Sequence, residues 1–292
     1  MKHPLIAALE SALTYDGPSI GASEVAAIVG LHRFSSPFSL WAKIHGLTPP
    51  FEGNAATARG QILEPAIRAW YSRQVGTEIQ PGPAWGAEPW RRTDAPWQAA
   101  RPDGFWWDDD GICHLLEVKT CESWDHWGEA GTGDVPQDYA IQVLWQQWVA
   151  GMADSHLVAY NRWNDEIRAY ILPYDERARR LAAALSARVT RWWERHIIAG
   201  EPVEVDGSAA TREALRAMYA RPTREYLEPT QERAALVADY RRAKAAAEAA
   251  AAPLELARNR LVAAIGNAGG IDGLCTYSAG KSRRLTLKGE SE

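Results

Sequence analysis

The feature that most constrains the fold is a pair of strand-like runs joined by an Asp-rich turn. Asp103 stands just before the first run. The second run, residues 112–118, ends with Glu117-Val118 and is followed by Lys119. The turn contains Asp110-Gly111, a strong hairpin signal. Side chains alternate between the two faces of a strand, so Glu117 and Lys119 point the same way. The sequence therefore predicts two carboxylates and an ammonium group at one place on a sheet.

Such a cluster suits a hard divalent cation, with the lysine beside a water molecule or a phosphate. Mg²⁺ keeps several waters, so Asp103, Glu117 and the backbone carbonyl of Val118 would be enough protein ligands. Lys119 would hold the attacking water or offset the charge that builds up on the phosphate. The alternative is a surface aspartate and a lysine that only neutralises Glu117. The residue pattern alone leaves both interpretations open.

Glu64 lies in a predicted helix over residues 55–75, with an apolar stripe at Ile62, Ala66, Ala69 and Trp70. A proline follows it directly and removes a backbone hydrogen bond, which allows a kinked helix near a site. If Glu64 faced the cation it would be a third carboxylate and would help to recruit a second metal ion. The alternative is an ordinary proline in the first turn of a helix.

Three further side chains are candidates for contacts to water or phosphate. Tyr139 and Gln142 are three residues apart on a helix predicted to start at Pro136, so they share a face. The alternative is that they are the polar positions of an amphipathic helix. Ser23 stands near the start of a short predicted helix, where it would bind phosphate or act as the N-cap.

The composition excludes several classes of protein. The formal net charge is −5, so any DNA contact needs locally gathered basic residues or a metal ion. We expect no contact with a membrane, because the sequence lacks a long apolar run. The three cysteines have no paired-ligand spacing, which favours free thiols in a reducing, cytoplasmic compartment. Phosphate-loop and Gly-x-Ser-x-Gly motifs are absent, which argues against NTP hydrolysis and serine-hydrolase chemistry.

The order of predicted helices and strands indicates an α/β fold, with a mixed central sheet flanked by helices. We expect a main domain over residues 1–226. From about residue 227 the composition shifts to Ala, Arg and Glu. There we predict an appendage over residues 227–292, made of a helical hairpin broken at Pro253 and a small β-hairpin.

Taken together, the motifs resemble the YqaJ-type viral recombinase family, which belongs with the lambda-exonuclease-like nucleases of the PD-(D/E)XK superfamily. The resemblance spans roughly residues 19–172. The matching motifs are residues 20–30, Ser36-Pro37 with Leu40-Trp41, Gly60 with Leu63-Glu64, Arg101-Pro102-Asp103-Gly104, Leu116-Glu117-Val118-Lys119, and Pro136 with Tyr139 and Gln142.

The resemblance implies a restriction-endonuclease-like core with Mg²⁺ or Mn²⁺ held by Asp103, Glu117 and the Val118 carbonyl. Lys119 would be catalytic. The remaining matches are Glu64 with the family's helical glutamate, Gln142 with its active-site glutamine, Tyr139 beside that glutamine, and Ser23 with a serine that holds the 5′-phosphate.

The resemblance also implies an activity. It indicates a 5′→3′ exonuclease that acts on the ends of linear double-stranded DNA in phage or prophage recombination, in the cytoplasm of a bacterial host. The working form would be a homo-oligomer, a trimeric ring, with a single-strand annealing protein as partner. Two alternatives stay open: an endonuclease on the same core, and an inactive module that binds DNA ends.

One position departs from the family pattern. The lambda-type enzymes place an arginine for the 5′-phosphate seven residues before the serine, and this chain has Asp16 there. Either the phosphate anchor comes from elsewhere in the chain, or a strict requirement for the 5′-phosphate and processivity are lost.

Overall fold

The structure is a computed structural model that describes residues 15–84, 86–151, 154–221, 223–278 and 283–288. The chain divides at residue 222 into two compact units. The boundary expected from composition lay at residues 226 and 227, a few positions further along the chain.

Helices make up much of the first unit. They are α1 (Ala22–Ile28), α2 (Pro37–Ile44), α3 (Ala55–Val75), α4 (Gln137–Ala150), α5 (Glu176–Trp193), which continues into a π-helical turn (Glu194–Ile198), and α6 (Ala209–Met218). Their starts follow local signals, since Ser36, Asn54 and Asp175 each accept a hydrogen bond from the first turn of the helix they precede. Within the described ranges, no helix has both the length and the apolar content to cross a bilayer.

The strands of the first unit are β1 (Gln80–Pro81), β2 (Trp90–Arg91), β3 (Ala99–Ala100), β4 (Gly104–Trp107), β5 (Cys113–Cys121), β6 (Ser155–Asn161) and β7 (Glu166–Leu172). Five of them form a mixed sheet in the order β1-β4-β5-β6-β7. Strands β5 and β6 run parallel, and the other neighbouring pairs are antiparallel. A separate pair, β2 with β3, is also antiparallel. This confirms the α/β fold class with helices flanking a mixed sheet.

The alternation of side chains along β5 divides the core into two layers. Leu116 packs with Trp106 and Val158 beneath α3, and residues of the opposite parity face α4. On the α4 side, Val143 packs with Leu157, Ala159 and Tyr170. A third apolar cluster joins α1, α2, α4 and α5 around the fully buried Trp145. Glu117 and Lys119 therefore lie on the face of the sheet that α4 covers.

The predicted apolar stripe of α3 is wrong by one position. Ile62 is 76% exposed, whereas Ile67 and Tyr71 are buried against the sheet. Alanine and isoleucine on the outer face made the predicted stripe look continuous, although only contact with the sheet decides which face is buried. The side of α3 that carries Glu64 therefore faces the sheet, because residues 64, 67, 68 and 71 share a face of the helix.

The second unit contains one continuous 35-residue helix, α7 (Gln231–Ile265), so the predicted helical hairpin is wrong. Pro253 lies inside this helix, where it removes one hydrogen bond at a cost of about 3 kcal/mol. Good helix formers flank it on both sides, and no Gly, Asn or Asp stands within five residues to make a turn. The small sheet that follows contains β8 (Gly270–Ile271), β9 (Cys275–Ser278) and β10 (Arg284–Leu287), and β9 and β10 pair as the predicted hairpin.

Replacing Pro253 with alanine tests the continuity of α7. We expect Pro253→Ala to raise the free energy of unfolding of the second unit by up to about 3 kcal/mol, since alanine restores the missing hydrogen bond. Urea unfolding followed by far-UV circular dichroism measures this gain. Pro229→Ala, just outside the helix, is the matched control and should change little. An equally small gain at Pro253 would indicate a helix that begins there.

A buried aromatic cluster lies on the α3 side of the sheet. Trp106 stacks on His114, and the Nδ1 atom of His156 lies 2.6 Å from the hydroxyl of Tyr71. Burial, with a contribution from His114, lowers the pKa of His156 to about 4. The folded protein therefore resists protonation at this histidine, whereas the unfolded chain accepts the proton near pH 6.5.

This difference in pKa makes stability depend on pH. The contribution of His156 is complete above pH 6.5 and is lost as the pH falls toward 4, because the unfolded state then binds more protons. The shift corresponds to roughly 3 kcal/mol. In His156→Gln, the loss of stability between pH 7 and pH 4.5 should be smaller than in the wild type by about that amount. Urea unfolding at both pH values gives the comparison, and identical losses in the two proteins would contradict it.

Candidate active site

The acidic cluster is assembled where β4 and β5 begin to separate. The last pair of the ladder is Gly104 with Leu116, and Asp103 lies just beyond it. Its Oδ2 accepts a hydrogen bond of 2.7 Å from the backbone N–H of Val118. The N–H and C=O of a strand residue point to the same neighbouring strand, so the Val118 carbonyl faces the Asp103 edge as well.

Two glycines allow the close approach of backbone that positions Asp103. A Cβ atom on Gly82 would lie 1.8 Å from the carbonyl oxygen of Pro102, and one on Gly104 would lie 2.7 Å from Ile79. The N–H of Gly82 also donates to the carbonyl of Asp103 at 3.3 Å. Side chains at these two positions would push β1 away from the turn that carries Asp103.

Glu117 is the centre of the hydrogen-bond network. It is 2% exposed, yet both of its carboxylate oxygens have donors. Its Oε1 accepts from Lys119 and from Gln142, each at 2.5 Å, and its Oε2 accepts from Gln146 at 2.6 Å. The expected convergence of Glu117, Lys119 and Gln142 is therefore present in the structure, and Gln146 is an additional member.

The charges of the cluster act on one another. Burial raises the pKa of Asp103 well above its usual range, and the carboxylates of Glu117 and Glu64 raise it further against the opposing effect of Lys119. Burial by itself would lower the pKa of Lys119, but Glu117 and Asp103 outweigh it and raise that pKa. Lys119 is therefore an ammonium group at neutral pH. Its single positive charge does not offset the negative charges of the carboxylates around it.

Glu64 reaches this neighbourhood from α3 but is engaged by an arginine. Its Oε1 accepts a 2.8 Å hydrogen bond from Arg68, one helical turn further on, and Arg68 also donates to the backbone carbonyl of Asp103 at 3.0 Å. Arg68 thus ties α3 to the acidic cluster. The structure brings Glu64 within electrostatic range of Asp103, with its carboxylate turned to Arg68.

Tyr139 lies between two cations at the rim of the site. Lys119 Nζ is 5.0 Å from the centroid of the Tyr139 ring, and Arg33 Cζ is 4.8 Å from the same centroid. Arg33 also donates to Asp138 at 2.8 Å. These cation–π contacts hold the ring against Lys119 and place a half-exposed guanidinium beside it.

Ser23 is not the N-cap of α1. The cap is Gly21, whose N–H donates to the Glu24 side chain at 2.8 Å. Ser23 is exposed in the first helical turn, and in the described part of the chain no hydrogen bond connects it to the acidic residues. Ser23 was one candidate for the N-cap because serine is common there, but Gly21, two residues earlier, has the extended conformation of the cap residue.

Three contributors to the site were not predicted from the sequence. Arg68 and Gln146 could have been found, since each lies four residues after a predicted site residue on the same helix. Arg33 follows α1 in a loop, 106 positions before its ring partner Tyr139, and no local pattern signals that contact.

The donor set fits a hard divalent cation. Asp103, Glu117 and the Val118 carbonyl supply oxygen ligands. Burial and the neighbouring carboxylates both raise the pKa of Asp103, and a bound cation would favour its ionised form. Across the described residues, no three His, Cys, Asp or Glu side chains are grouped as a complete metal cage. Two carboxylates suit an ion such as Mg²⁺ that retains several waters.

Comparison with known proteins relates this geometry to a family. Residues 16–153 match the model of the YqaJ-like viral recombinase domain, and this segment contains the acidic cluster, Lys119 and α4. The segment is similar to that domain. The family resemblance expected from the sequence motifs is thereby confirmed.

A curated relative of this chain is the uncharacterized protein YqaJ of Bacillus subtilis (strain 168). The two are 24% identical over 204 residues, which cover 69% of this chain and 60% of the B. subtilis protein. The matched region thus spans less than two thirds of that relative's length.

Two solved structures are also similar. An alkaline exonuclease from Laribacter hongkongensis is 20% identical, with a TM-score of 0.46, over 62% of this chain and 91% of that one. A phage related exonuclease from Haemophilus somnus 129PT is 12% identical, with a TM-score of 0.45, over 65% of this chain and 99% of the other.

Removal of the Asp103 charge should stabilise the metal-free protein. When a carboxyl group has a raised pKa in the folded state, it destabilises the folded protein as the pH rises above the pKa that the group has in the unfolded chain. At pH 8, Asp103→Asn should therefore remove this destabilising effect. We expect the melting temperature in EDTA to rise by about 2–4 °C for each ~1 kcal/mol gained in the free energy of unfolding. Mn²⁺ should then stabilise the wild type more than the variant.

Differential scanning calorimetry with and without Mn²⁺ measures both effects. Asp109→Asn, an exposed position in the β4–β5 turn, is the matched control and should change neither. A lower melting temperature for Asp103→Asn in EDTA would show that Asp103 stabilises the fold rather than straining it.

Proposed function

We propose that this protein is a divalent-metal-dependent deoxyribonuclease that digests linear double-stranded DNA. The observation that carries the proposal is the convergence of Asp103, Glu117 and Lys119 at the divergence of β4 and β5. The YqaJ-like family match over residues 16–153 supports DNA recombination as the setting.

In this proposal Asp103, Glu117 and the Val118 carbonyl hold Mg²⁺ or Mn²⁺. The cation would supply an activated water and offset charge on the scissile phosphate. Lys119 acts as an ammonium group, because its raised pKa keeps the proton on Nζ. It therefore orients the water and stabilises the negative charge that develops on the phosphate, and it does not remove a proton itself. Gln142 shares Glu117 Oε1 with Lys119 and so lies close enough to orient the same water.

The groups at the rim would contact the DNA strand. Tyr139 contacts Lys119, and Arg33, which contacts the same ring and is half exposed, would offer a guanidinium to a phosphate. Ser23 would bind phosphate from α1 through its exposed hydroxyl. Glu64, released from Arg68, would be the carboxylate available to a second metal ion.

The finer assignment is a 5′→3′ exonuclease of a phage or prophage recombination system, acting in the bacterial cytoplasm. We propose a ring-shaped homo-oligomer as the working form and a single-strand annealing protein as the partner that receives the product. The family match supports this assignment.

End-labelled linear duplexes test the activity, its direction and its end requirement together. Duplexes labelled at the 5′ or the 3′ end, with and without a 5′-phosphate, are incubated with Mg²⁺, with Mn²⁺ or with EDTA. We expect divalent-dependent release of label from the 5′ end and no cutting of covalently closed circles. Cleavage of closed circles would favour the endonuclease alternative, and no hydrolysis with either metal would favour an inactive module that binds DNA ends.

Replacing Glu117 should abolish this activity. Glu117→Ala removes one proposed metal ligand, and the loss of several kcal/mol of charge stabilisation corresponds to roughly a thousandfold or more in rate. Because Ala leaves Lys119, Gln142 and Gln146 without their acceptor, Glu117→Gln and circular dichroism verify that the loss is not unfolding. Glu122→Ala, an exposed acid just beyond β5, is the control. Wild-type rates in a folded Glu117 variant would remove the proposal.

A further inference from the structure

We propose that Gln146 is a positioning residue of this site, which anchors one oxygen of Glu117 so that the other faces the cation and the water. The inference deepens the proposed nuclease function and rests on it. Gln146 is not among the residues that the sequence motifs single out, and it lies one turn beyond Gln142 on α4.

The two oxygens of Glu117 have different neighbours. Oε1 accepts hydrogen bonds from Lys119 and Gln142, the two groups that would meet water and substrate. Among the described residues, the Gln146 amide is the donor to Oε2, at 2.6 Å, and this bond lies in the interior. The carboxylate thus has an anchored oxygen and a working oxygen.

The burial of these side chains agrees with one anchored and one working oxygen on Glu117. Gln146 is 1% exposed and Glu117 is 2% exposed, whereas the Lys119 side chain is 18% exposed. A hydrogen bond from a buried amide to a carboxylate is charge-assisted and roughly twice as strong as a neutral one. It therefore restricts rotation of the carboxylate more than a solvent-exposed bond would.

The amide of Gln146 is held in one orientation by Glu117. Its carbonyl oxygen Oε1 is buried, and no described residue donates to it. Turning the amide over would direct this oxygen at Glu117 Oε2 and set two acceptors against each other. A buried carbonyl without a donor destabilises the fold by about 1–3 kcal/mol, and the bond from the same amide to the Glu117 carboxylate offsets that cost.

The adjacent Gln147 offers a matched comparison for the experiment. It is also 1% exposed, and its amide donates to the backbone carbonyl of Leu172 at 2.7 Å. Methionine has nearly the same volume as glutamine and cannot donate a hydrogen bond. Gln146→Met and Gln147→Met therefore remove similar buried amides from the same helix, and only the first affects Glu117.

Isothermal titration of the full-length protein with Mn²⁺ alone measures the effect without any catalytic step. Loss of a side chain that orients a metal ligand weakens metal binding or activity by about 10–100-fold. We expect this loss in Gln146→Met and a Kd close to wild type in Gln147→Met. On linear duplex DNA, Gln146→Met should need more Mn²⁺ for half-maximal rate, with its KM for DNA unchanged.

Gln146→Met with the wild-type Kd for Mn²⁺ would overturn the proposal, and so would an equal loss in both variants. If the methionine variant does not fold, Gln146→Asn serves in its place. Its amide is one methylene too short to reach Oε2, and the same weakening is expected. A wild type that binds no Mn²⁺ would also overturn the positioning role.

A different set of results would contradict the nuclease assignment itself. A wild type that binds Mn²⁺ but hydrolyses no DNA would remove the proposed function, and the comparison of Mn²⁺ affinities would still decide the role of Gln146. An active wild type whose affinity is insensitive to Gln146→Met would remove only the positioning role.

Discussion

The arrangement of this domain depends on a carboxylate held out of water. Glu117 lies on the central strand of the sheet at 2% exposure, and an isolated carboxylate there would be destabilising by several kcal/mol. Lys119 and the amides of Gln142 and Gln146 compensate by donating to both of its oxygens. Because the two amides come from α4, the docking of that helix on the sheet and the orientation of Glu117 depend on each other.

The same cluster contains a charge imbalance that the fold does not resolve. Burial raises the pKa of Asp103, and the carboxylates of Glu117 and Glu64 raise it further against the opposing effect of Lys119. A protein under selection for stability alone would replace such a group, whereas a site that binds a cation gains affinity from it. The imbalance links the electrostatics of the folded chain to the proposed nuclease chemistry.

Local signals predicted the elements that present the acidic residues. The Asp110-Gly111 turn produced the β4–β5 hairpin, with Gly111 at a φ of 74°, and Pro136 preceded α4 as expected. Predictions failed where one pattern permits two structures. Ile62 looked apolar enough to be buried, and Pro253 looked like a helix boundary. Contact with the sheet decided the first case, and the strong helix formers on both sides of the proline decided the second.

The sequence by itself determined that Glu117 and Lys119 share a face, because alternation along a strand is a property of the local backbone. It also indicated the family resemblance, since the short motifs that carry it can be read along the chain without knowledge of the packing. Only the tertiary structure decided which groups meet these side chains. The contact between Gln146 and Glu117 joins residues 29 positions apart, and that between Tyr139 and Arg33 joins two separate elements. Such contacts depend on how α4 packs against the sheet and against the loop after α1, which no local pattern specifies.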